Sequence, residues 1–165
     1  MSDPEIAPEL YYYEDLSLGD VREYVDPYEV TAEEIMEMGN RWDPQPFHTD
    51  PDAARDSVFG GLVASSVHVF AMWVAVGMKA NKKVRSAALS ALGFDNMRMR
   101  DAIRPGDLLR SRARVKSLRL SNSRPHSGIV TMENEMFNQD DTVVFSIEHT
   151  FLIKCRDYDR HHGES

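Results

Sequence analysis

The sequence predicts an α+β fold in which one long buried helix is wrapped by a single antiparallel sheet. The segment Leu62 to Met78 has the length of a long helix and is apolar nearly all round. About five other segments alternate in polarity and are rich in β-branched or aromatic residues, as strands are. The chain has 165 residues, which suits one domain with a substantial core.

The first part of the chain is predicted to hold one strand and two short helices. Val21 to Val30 is the strand. Thr31 is a good N-cap, and Glu34 three residues later predicts a capping box for a helix that ends near Gly39-Asn40. Asp50-Pro51 opens the second helix, since Asp caps well and Pro favours the first turn.

Four strands are predicted after the long helix. They are Ala87 to Met99, Leu109 to Leu120, Gly128 to Asn138 and Thr142 to Arg156. The turn at Arg104 to Asp107 separates the first two, and Gln139 to Asp141 joins the last two as a hairpin. We therefore expect an N-terminal arm over 1–10, one domain over 11–156 and a flexible tail over 157–165.

Composition narrows the classes of function and the compartment. Hydrophobic residues make up 42% and charged residues 28%, as expected of a soluble globular protein. The net charge of −8 argues against a nucleic-acid partner, and no apolar run is long enough to predict a membrane partner. The single Cys155 lies in an apolar run, which indicates a packed thiol and a cytoplasmic location. No metal site is expected, because the pair His161-His162 stands in a polar tail.

The loop between the short helices carries the candidate chemistry. Pro44 and Pro46 stiffen it, so it can hold side chains still at little cost in entropy. It presents one carboxylate and one imidazole, Asp43 and His48, which suit proton transfer to and from a water molecule. Structural roles as caps or packed side chains are open for both residues on spacing alone.

The segment from Asp43 to Asp50, Asp-Pro-Gln-Pro-Phe-His-Thr-Asp, resembles a family signature, Asp-x-Asn-Pro-x-His-x-Asp. That signature belongs to the MaoC-like dehydratases and (R)-specific enoyl-CoA hydratases. The similarity extends from about Tyr12 to Lys154. It includes Phe59 to Ser65, Arg104 to Asp107, His126 to Val130 and Glu135 to Asp140. Gln45 stands where the signature has Asn, which keeps the amide on a longer arm.

The resemblance implies a hotdog fold, in which a curved antiparallel sheet wraps a long central helix. It implies reversible addition of water to a trans-2-enoyl thioester of coenzyme A, giving the (R)-3-hydroxyacyl product. Asp43 and His48 match the catalytic pair of the family. No metal or redox cofactor is implied, and coenzyme A enters only as part of the substrate. Family members are usually dimers or larger assemblies, so a homodimer or higher homo-oligomer is expected.

Further roles follow from the resemblance at the start of the long helix. The family usually has His-Gly where this chain has Ser65-Ser66, and the second residue offers a backbone N–H to the thioester oxygen. Ser66 is therefore the oxyanion candidate, with ordinary helix capping as its structural alternative. Phe47, Gly61 and Ser65 are the candidate substrate contacts. Some hydratases of this type carry a serine within the helix that orients the pair, and the position we align with it is Val74.

Several features have two readings. His68, inside the apolar helix, is either a hydrogen-bonded core residue or a catalytic group. The arginine-rich run is either a solvated face or an attractor for coenzyme A phosphates. Its members are Arg98, Arg100, Arg104, Arg110, Arg112 and Arg114. Two other functions stay open: a hotdog thioesterase, which the fold alone does not separate from a hydratase, and a non-catalytic acyl-thioester binding protein.

Overall fold

The described residues form a five-stranded sheet, a two-stranded sheet, one long helix and several short helices. The computed structural model describes residues 8–80 and 84–162. The helices are α1 (Ala32–Trp42), α2 (Pro46–Thr49), α3 (Pro51–Arg55), α4 (Ser66–Ala80) and α5 (Tyr158–His162). The strands are β1 (Glu9–Tyr11), β2 (Val21–Glu29), β3 (Val84–Ser86), β4 (Ala88–Met99), β5 (Leu108–Leu120), β6 (Ser127–Phe137) and β7 (Val143–Lys154).

The large sheet has the strand order β2-β5-β6-β7-β4, and every pair of neighbours is antiparallel. The pairing of β4 with β7 shifts register at three places, and such bulges bend a strand and increase its twist. The bent sheet packs against α4. Val69, Met72 and Val76 of the helix share one buried cluster with Leu109 and Phe145 of the sheet. The predicted α+β arrangement of a central helix and an antiparallel sheet is confirmed.

The two faces of the sheet differ in chemistry, as alternation along each strand requires. On β5, Leu109 is buried in the cluster that includes α4, and Ala113 and Val115 are buried in a second cluster with Leu16. The arginines between them lie on the other face, where Arg112 pairs with Glu135 of β6 at 2.8 Å. The inner face therefore stabilises the fold, and the outer face is a charged surface.

The predicted strands agree with the observed ones to within about two residues at each end. The helices differ more. α1 continues to Trp42, past the predicted end at Gly39-Asn40, because Gly39 is buried within it. The capping box is only half formed: Thr31 Oγ1 accepts from the Glu34 N–H at 3.2 Å, and the Glu34 side chain bonds to Tyr28. The prediction of a reciprocal box was wrong.

The long helix begins at Ser66, four residues after the predicted start at Leu62. The residues before it are apolar but extended. The Val63 N–H donates to Phe47 O, and the Ala64 N–H donates to Ile103 O at 2.9 Å. Hydrophobicity alone did not separate this buried extended segment from the helix, since both are apolar on all sides.

The two ends of the chain contain more regular structure than an arm and a tail imply. Residues 1–7 of the predicted arm lie outside the described part, but Glu9–Tyr11 form β1 and pair in parallel with β3. The predicted tail includes α5, and His126 Nδ1 is 2.8 Å from Asp157 Oδ2 at its start. That hydrogen bond lowers the pKa of the Asp157 carboxyl.

Across residues 8–80 and 84–162, no helix is long and apolar enough to cross a membrane. Cys155 is buried next to the end of β7. Burial, together with the nearby carboxylates of Glu14 and Asp157, raises the pKa of its thiol to about 11.

Candidate active site

The segment between α1 and α4 brings Asp43 and His48 together. Asp43 is the C-cap of α1, where its N–H donates to Gly39 O at 2.9 Å. His48 lies on the one-turn helix α2, which Pro46 starts, rather than on the irregular loop that was predicted. His48 Nε2 is 3.6 Å from Asp43 Oδ2. That distance is too long for a direct hydrogen bond, but one water molecule can contact both atoms.

A backbone carbonyl fixes the orientation of the His48 ring. His48 Nδ1 lies 2.7 Å from Val63 O. Because a carbonyl oxygen only accepts hydrogen bonds, Nδ1 carries the proton, and in the neutral ring Nε2 is left with its lone pair facing Asp43. The side chain of His48 is only 8% exposed, whereas that of Asp43 is 33% exposed. The ring is therefore held in one tautomer and one orientation.

A glycine allows α1 to approach α2 closely. A Cβ atom at Gly39 would lie 2.7 Å from the carbonyl oxygen of His48 and 3.0 Å from its Cβ. Real Cβ atoms do not make contacts below 3.0 Å, so only glycine permits this packing. Since α1 also carries Asp43 at its end, Gly39 sets the separation of the two candidate catalytic side chains.

Asp43, His48 and Ser66 line one cavity of about 400 Å³. This is within the usual size range of a small-molecule site. The remaining lining residues are Phe47, Phe59, Val63, Ala64, Val69, Met99, Arg100, Asp101, Ala102 and Ile103. The cavity thus combines two groups suited to proton transfer with a mostly apolar wall that also contains Arg100 and Asp101.

The N-terminus of α4 opens into this cavity. Ser65 is the N-cap: its Oγ accepts from the His68 N–H at 3.3 Å, and its carbonyl accepts from Val69. The N–H groups of Ser66 and Val67 make no hydrogen bond among the described residues. The partial positive charge of a helix N-terminus is carried by such free N–H groups. The residue predicted for the oxyanion position therefore lies at the cavity with a free donor.

The other predicted site residues are distributed differently. Phe47 lines the cavity, and its ring packs edge-on against His48 with centroids 4.5 Å apart. Gly61 and Ser65 are not among the described lining residues. Val74, the position assigned to an orienting serine, lines another cavity farther along α4. In this chain the carbonyl of Val63 orients the ring, a contribution that side-chain patterns do not reveal.

His68 belongs to a buried polar cluster and does not line the cavity. Its side chain is 1% exposed, and Nε2 lies 3.3 Å from Glu34 Oε1. The same carboxylate accepts a hydrogen bond from the Tyr28 hydroxyl. Burial and the Glu34 carboxylate raise the pKa of Tyr28. The Tyr28–Glu34 hydrogen bond joins β2 to α1, and His68 of α4 lies beside it, but neither ring nitrogen of His68 makes a hydrogen bond among the described residues.

Some arginines of the arginine-rich run lie on a solvated face, and others lie near the cavity. Arg110 pairs with Asp141 at 2.6 Å and Arg112 pairs with Glu135, both on the outer face. Arg100 lines the cavity, where its Nε donates to Ser146 Oγ at 3.0 Å. Arg104 donates to Phe59 O at 2.7 Å. Of these four arginines, Arg100 lines the cavity and Arg104 lies next to it through its bond to Phe59.

His126 and His161 form a cluster that does not line this cavity. His161 stacks on His126 with centroids 3.7 Å apart, and both lie near Asp157. Ligand atoms of these three side chains lie within 4.8 Å of one another. The side chain of His162, the other histidine of the predicted pair, is outside the described set.

Comparison with known proteins identifies the family. A model described as "MaoC like domain" matches residues 15–136. The MaoC-like dehydratase from Rhodospirillum rubrum is 32% identical, covers 88% of this chain and 98% of its own, and superimposes with a TM-score of 0.80. The R-hydratase PhaJ1 from Pseudomonas aeruginosa is 20% identical over 88% of this chain and 86% of its own, with a TM-score of 0.70.

A third structure extends the fold comparison. A Mycobacterium tuberculosis protein described as having a double hotdog fold is 19% identical, covers 88% of this chain and 44% of its own, and gives a TM-score of 0.72. At this identity the likeness concerns the fold alone. The match of the family model over most of the chain, with the architecture described above, shows that this chain belongs to the MaoC-like dehydratase family and has its hotdog fold.

Proposed function

We propose that this chain is an (R)-specific enoyl-CoA hydratase, or 3-hydroxyacyl-CoA dehydratase, which adds water reversibly to a trans-2-enoyl thioester. One observation carries the proposal: Asp43, His48 and the free N–H end of α4 line the same cavity. A hydration reaction needs a base for water, an acid for the α carbon and a donor for the thioester oxygen. These three elements supply the three functions.

In the proposed reaction, one water molecule lies between His48 Nε2 and Asp43 Oδ2. His48 takes a proton from it while the oxygen attacks the β carbon of the substrate. The Asp43 carboxylate holds the water and faces the imidazolium, and His48 then delivers the same proton to the α carbon. The hydroxyacyl product therefore leaves His48 neutral and Asp43 ionised, as both were before the reaction.

Negative charge moves onto the thioester oxygen during this attack. The Ser66 N–H, at the positive end of α4, is the proposed donor to that oxygen. Only the backbone of Ser66 is used, so the role does not depend on having glycine there. The proposed reaction needs no metal or redox cofactor, and coenzyme A takes part only as the carrier of the acyl group.

The sheet edge formed by β4 supports a homodimer. β4 is paired on one side only, with β7, and exposes Leu92, Phe94, Met97 and Met99. An exposed apolar edge strand is a ready site for pairing with another chain. We therefore propose that two copies join along β4, with each copy completing the other's exposed edge.

We also propose a cytoplasmic location, since the buried thiol of Cys155 fits a reducing compartment.

The test uses the purified protein with crotonyl-CoA and follows two signals. Loss of the conjugated thioester absorbance without release of free thiol supports hydration. Asp43→Asn and His48→Gln are each expected to abolish turnover while circular dichroism and melting temperature stay near wild type. Asp52→Asn and His161→Gln are matched controls, since both side chains are exposed and neither lines the cavity, and both variants are expected to stay fully active.

Other outcomes count against the proposal. Release of free thiol would favour a thioesterase, in which the same water attacks the carbonyl carbon. Neither signal, with longer and branched enoyl chains included, would favour a non-catalytic thioester-binding protein. Full activity of either Asp43→Asn or His48→Gln would remove the proposed roles of the pair.

A further inference from the structure

A second cavity, of about 290 Å³, lies between α4 and the inner face of the sheet. It shares no lining residue with the catalytic cavity. Aromatic rings dominate its wall: Tyr11, Tyr24, Phe70, Trp73, Phe94 and Phe151. An apolar cavity of about 150 Å³ is enough to hold benzene, so this one has room for a substituted ring.

Three polar side chains interrupt the apolar inner face of the sheet at this cavity. They are Ser111 on β5, Asn134 on β6 and His149 on β7. Asn134 is paired with Ile147, and His149 with Met132, which makes Asn134 and His149 diagonal neighbours across the sheet. Ser111 stands in the same diagonal relation to Asn134. The polar groups therefore form one row across three adjacent strands.

Two members of this row keep hydrogen-bonding capacity. Asn134 uses its Nδ2 on the carbonyls of Met132 and Ile147, which leaves Oδ1 as an acceptor. His149 makes no hydrogen bond among the described residues, and its Nε2 is shielded from solvent. Nδ1 is then the ring nitrogen left to meet a ligand. Nδ1 can donate or accept there, because a neutral imidazole carries its proton on either nitrogen.

Charge defines the ligand further. None of the described side chains that line this cavity is charged at neutral pH, and burial lowers the pKa of His149 and keeps its ring neutral. The His149 ring stacks on Phe94 with centroids 4.9 Å apart and meets Trp73 edge-on. A neutral ring lying against these aromatic side chains would have favourable stacking and edge contacts.

We propose that this cavity is a binding site for a neutral aromatic ring that carries one hydroxyl group, recognised by His149 and Asn134. Two sources offer such a ring: the far end of an acyl chain on the thioester substrate, or a free phenolic compound. The first source rests on the proposed hydratase function, and the second does not. A second copy of the chain is the competing occupant, because Val74 and Phe94 at the rim are exposed.

The test measures binding by fluorine NMR with two probes, 4-fluorophenol and fluorobenzene. We expect 4-fluorophenol to bind with a dissociation constant of about 1 mM or below, as suits a ligand of this size. It should bind about three- to tenfold more tightly than fluorobenzene, the range that one hydrogen bond provides. His149→Phe keeps the aromatic stacking and should remove the preference for the phenol.

A second variant tests the location. Gly77 lines the cavity, and a Cβ atom added there meets nothing within 4 Å, so the side chain of Gly77→Leu starts in open space at the cavity. It should abolish binding of both probes, whereas His161→Gln should leave binding unchanged. Asp43→Asn should also leave binding unchanged, which separates failure of this proposal from failure of the proposed hydratase.

Four results would overturn the proposal. They are absence of saturable binding, equal affinity for the two probes, unchanged binding in Gly77→Leu, and binding that weakens as protein concentration rises because a second copy fills the cavity. The source is then resolved with two enoyl-CoA substrates, crotonyl-CoA and one that ends in a 4-hydroxyphenyl ring. If His149→Phe raises KM for the phenolic substrate alone, the ring is part of the acyl chain. If the variant changes KM for both substrates by the same factor, the site belongs to a free phenol.

Discussion

Replacing Gly39 with alanine tests the close packing that sets the separation of Asp43 and His48. The added Cβ would lie 2.7 Å from His48 O, and ordinary contacts begin at 3.4 Å, so α1 and α2 must separate by about 0.7 Å. Overpacking of this kind costs about 1–3 kcal/mol. Alanine in a helix interior returns about 1 kcal/mol relative to glycine. The net loss in the free energy of unfolding is then between zero and about 2 kcal/mol.

Gly77→Ala provides the matched control, because it makes the same change inside α4 where the added Cβ meets nothing within 4 Å. We expect it to gain about 1 kcal/mol. The difference between the two variants cancels the helix propensity and leaves the contact itself, about 1–3 kcal/mol. Urea unfolding followed by circular dichroism measures both. Equal stabilisation by the two substitutions would refute the close contact between Gly39 and His48.

The same substitution has a consequence for catalysis. A displacement near 1 Å can cost a reaction about 100-fold, so a movement of about 0.7 Å at His48 should lower kcat for crotonyl-CoA hydration by tenfold or more. KM should change little, since the apolar walls of the cavity are not altered. A Gly39→Ala enzyme that is destabilised yet fully active would show that the spacing of the pair does not limit the reaction.

Three further predictions concern the rest of the molecule. Gly128→Ala should destabilise the protein by about 1–3 kcal/mol in urea unfolding, because its Cβ would lie 2.0 Å from the Tyr13 ring; wild-type stability would mean that the ring moves away freely. Cys155, with the pKa of its thiol raised to about 11, should react with iodoacetamide at pH 8 far more slowly in the folded protein than in urea, and equal rates would contradict its burial. Burial lowers the pKa of His149 below its ordinary 6.5, so below pH 6.5 the unfolded chain takes up a proton that the folded protein resists, and the free energy of unfolding falls. His149→Phe should therefore lose less stability than wild type between pH 7.5 and pH 5, and identical losses would contradict this assignment.

Features that depend only on the type of side chain at each position were predictable from the sequence. Alternation of polarity predicted all five strands of the large sheet. The N-cap at Asp50 was predictable because Asp followed by Pro is typical of the start of a helix. The start of α4 was misplaced because a buried extended segment and a buried helix have the same composition. The capping box is incomplete because the Glu34 side chain instead contacts Tyr28 and His68, which only the tertiary fold brings near it.

The candidate site shows the same division. Asp43 and His48 could be proposed from the sequence because a carboxylate and an imidazole stand on a proline-stiffened segment within a recognisable signature. The group that orients the ring is the carbonyl of Val63, and every residue has a carbonyl, so no residue pattern marks it. The contribution of Gly39 is the absence of a side chain at a close approach, which becomes meaningful only once His48 is known to lie opposite.

The two helices that meet at the cavity present opposite ends to it. α1 ends at Asp43 with its carbonyl groups, which carry about half a negative charge, and α4 begins at Ser66 with free N–H groups of the opposite sign. A thioester bound between them would lie in an electric field directed from the oxyanion end toward the catalytic pair. As His48 takes a proton and the thioester oxygen becomes negative, each new charge would face the helix end of opposite sign. The backbone would thus favour charge separation in one direction across the substrate, before any side chain is considered.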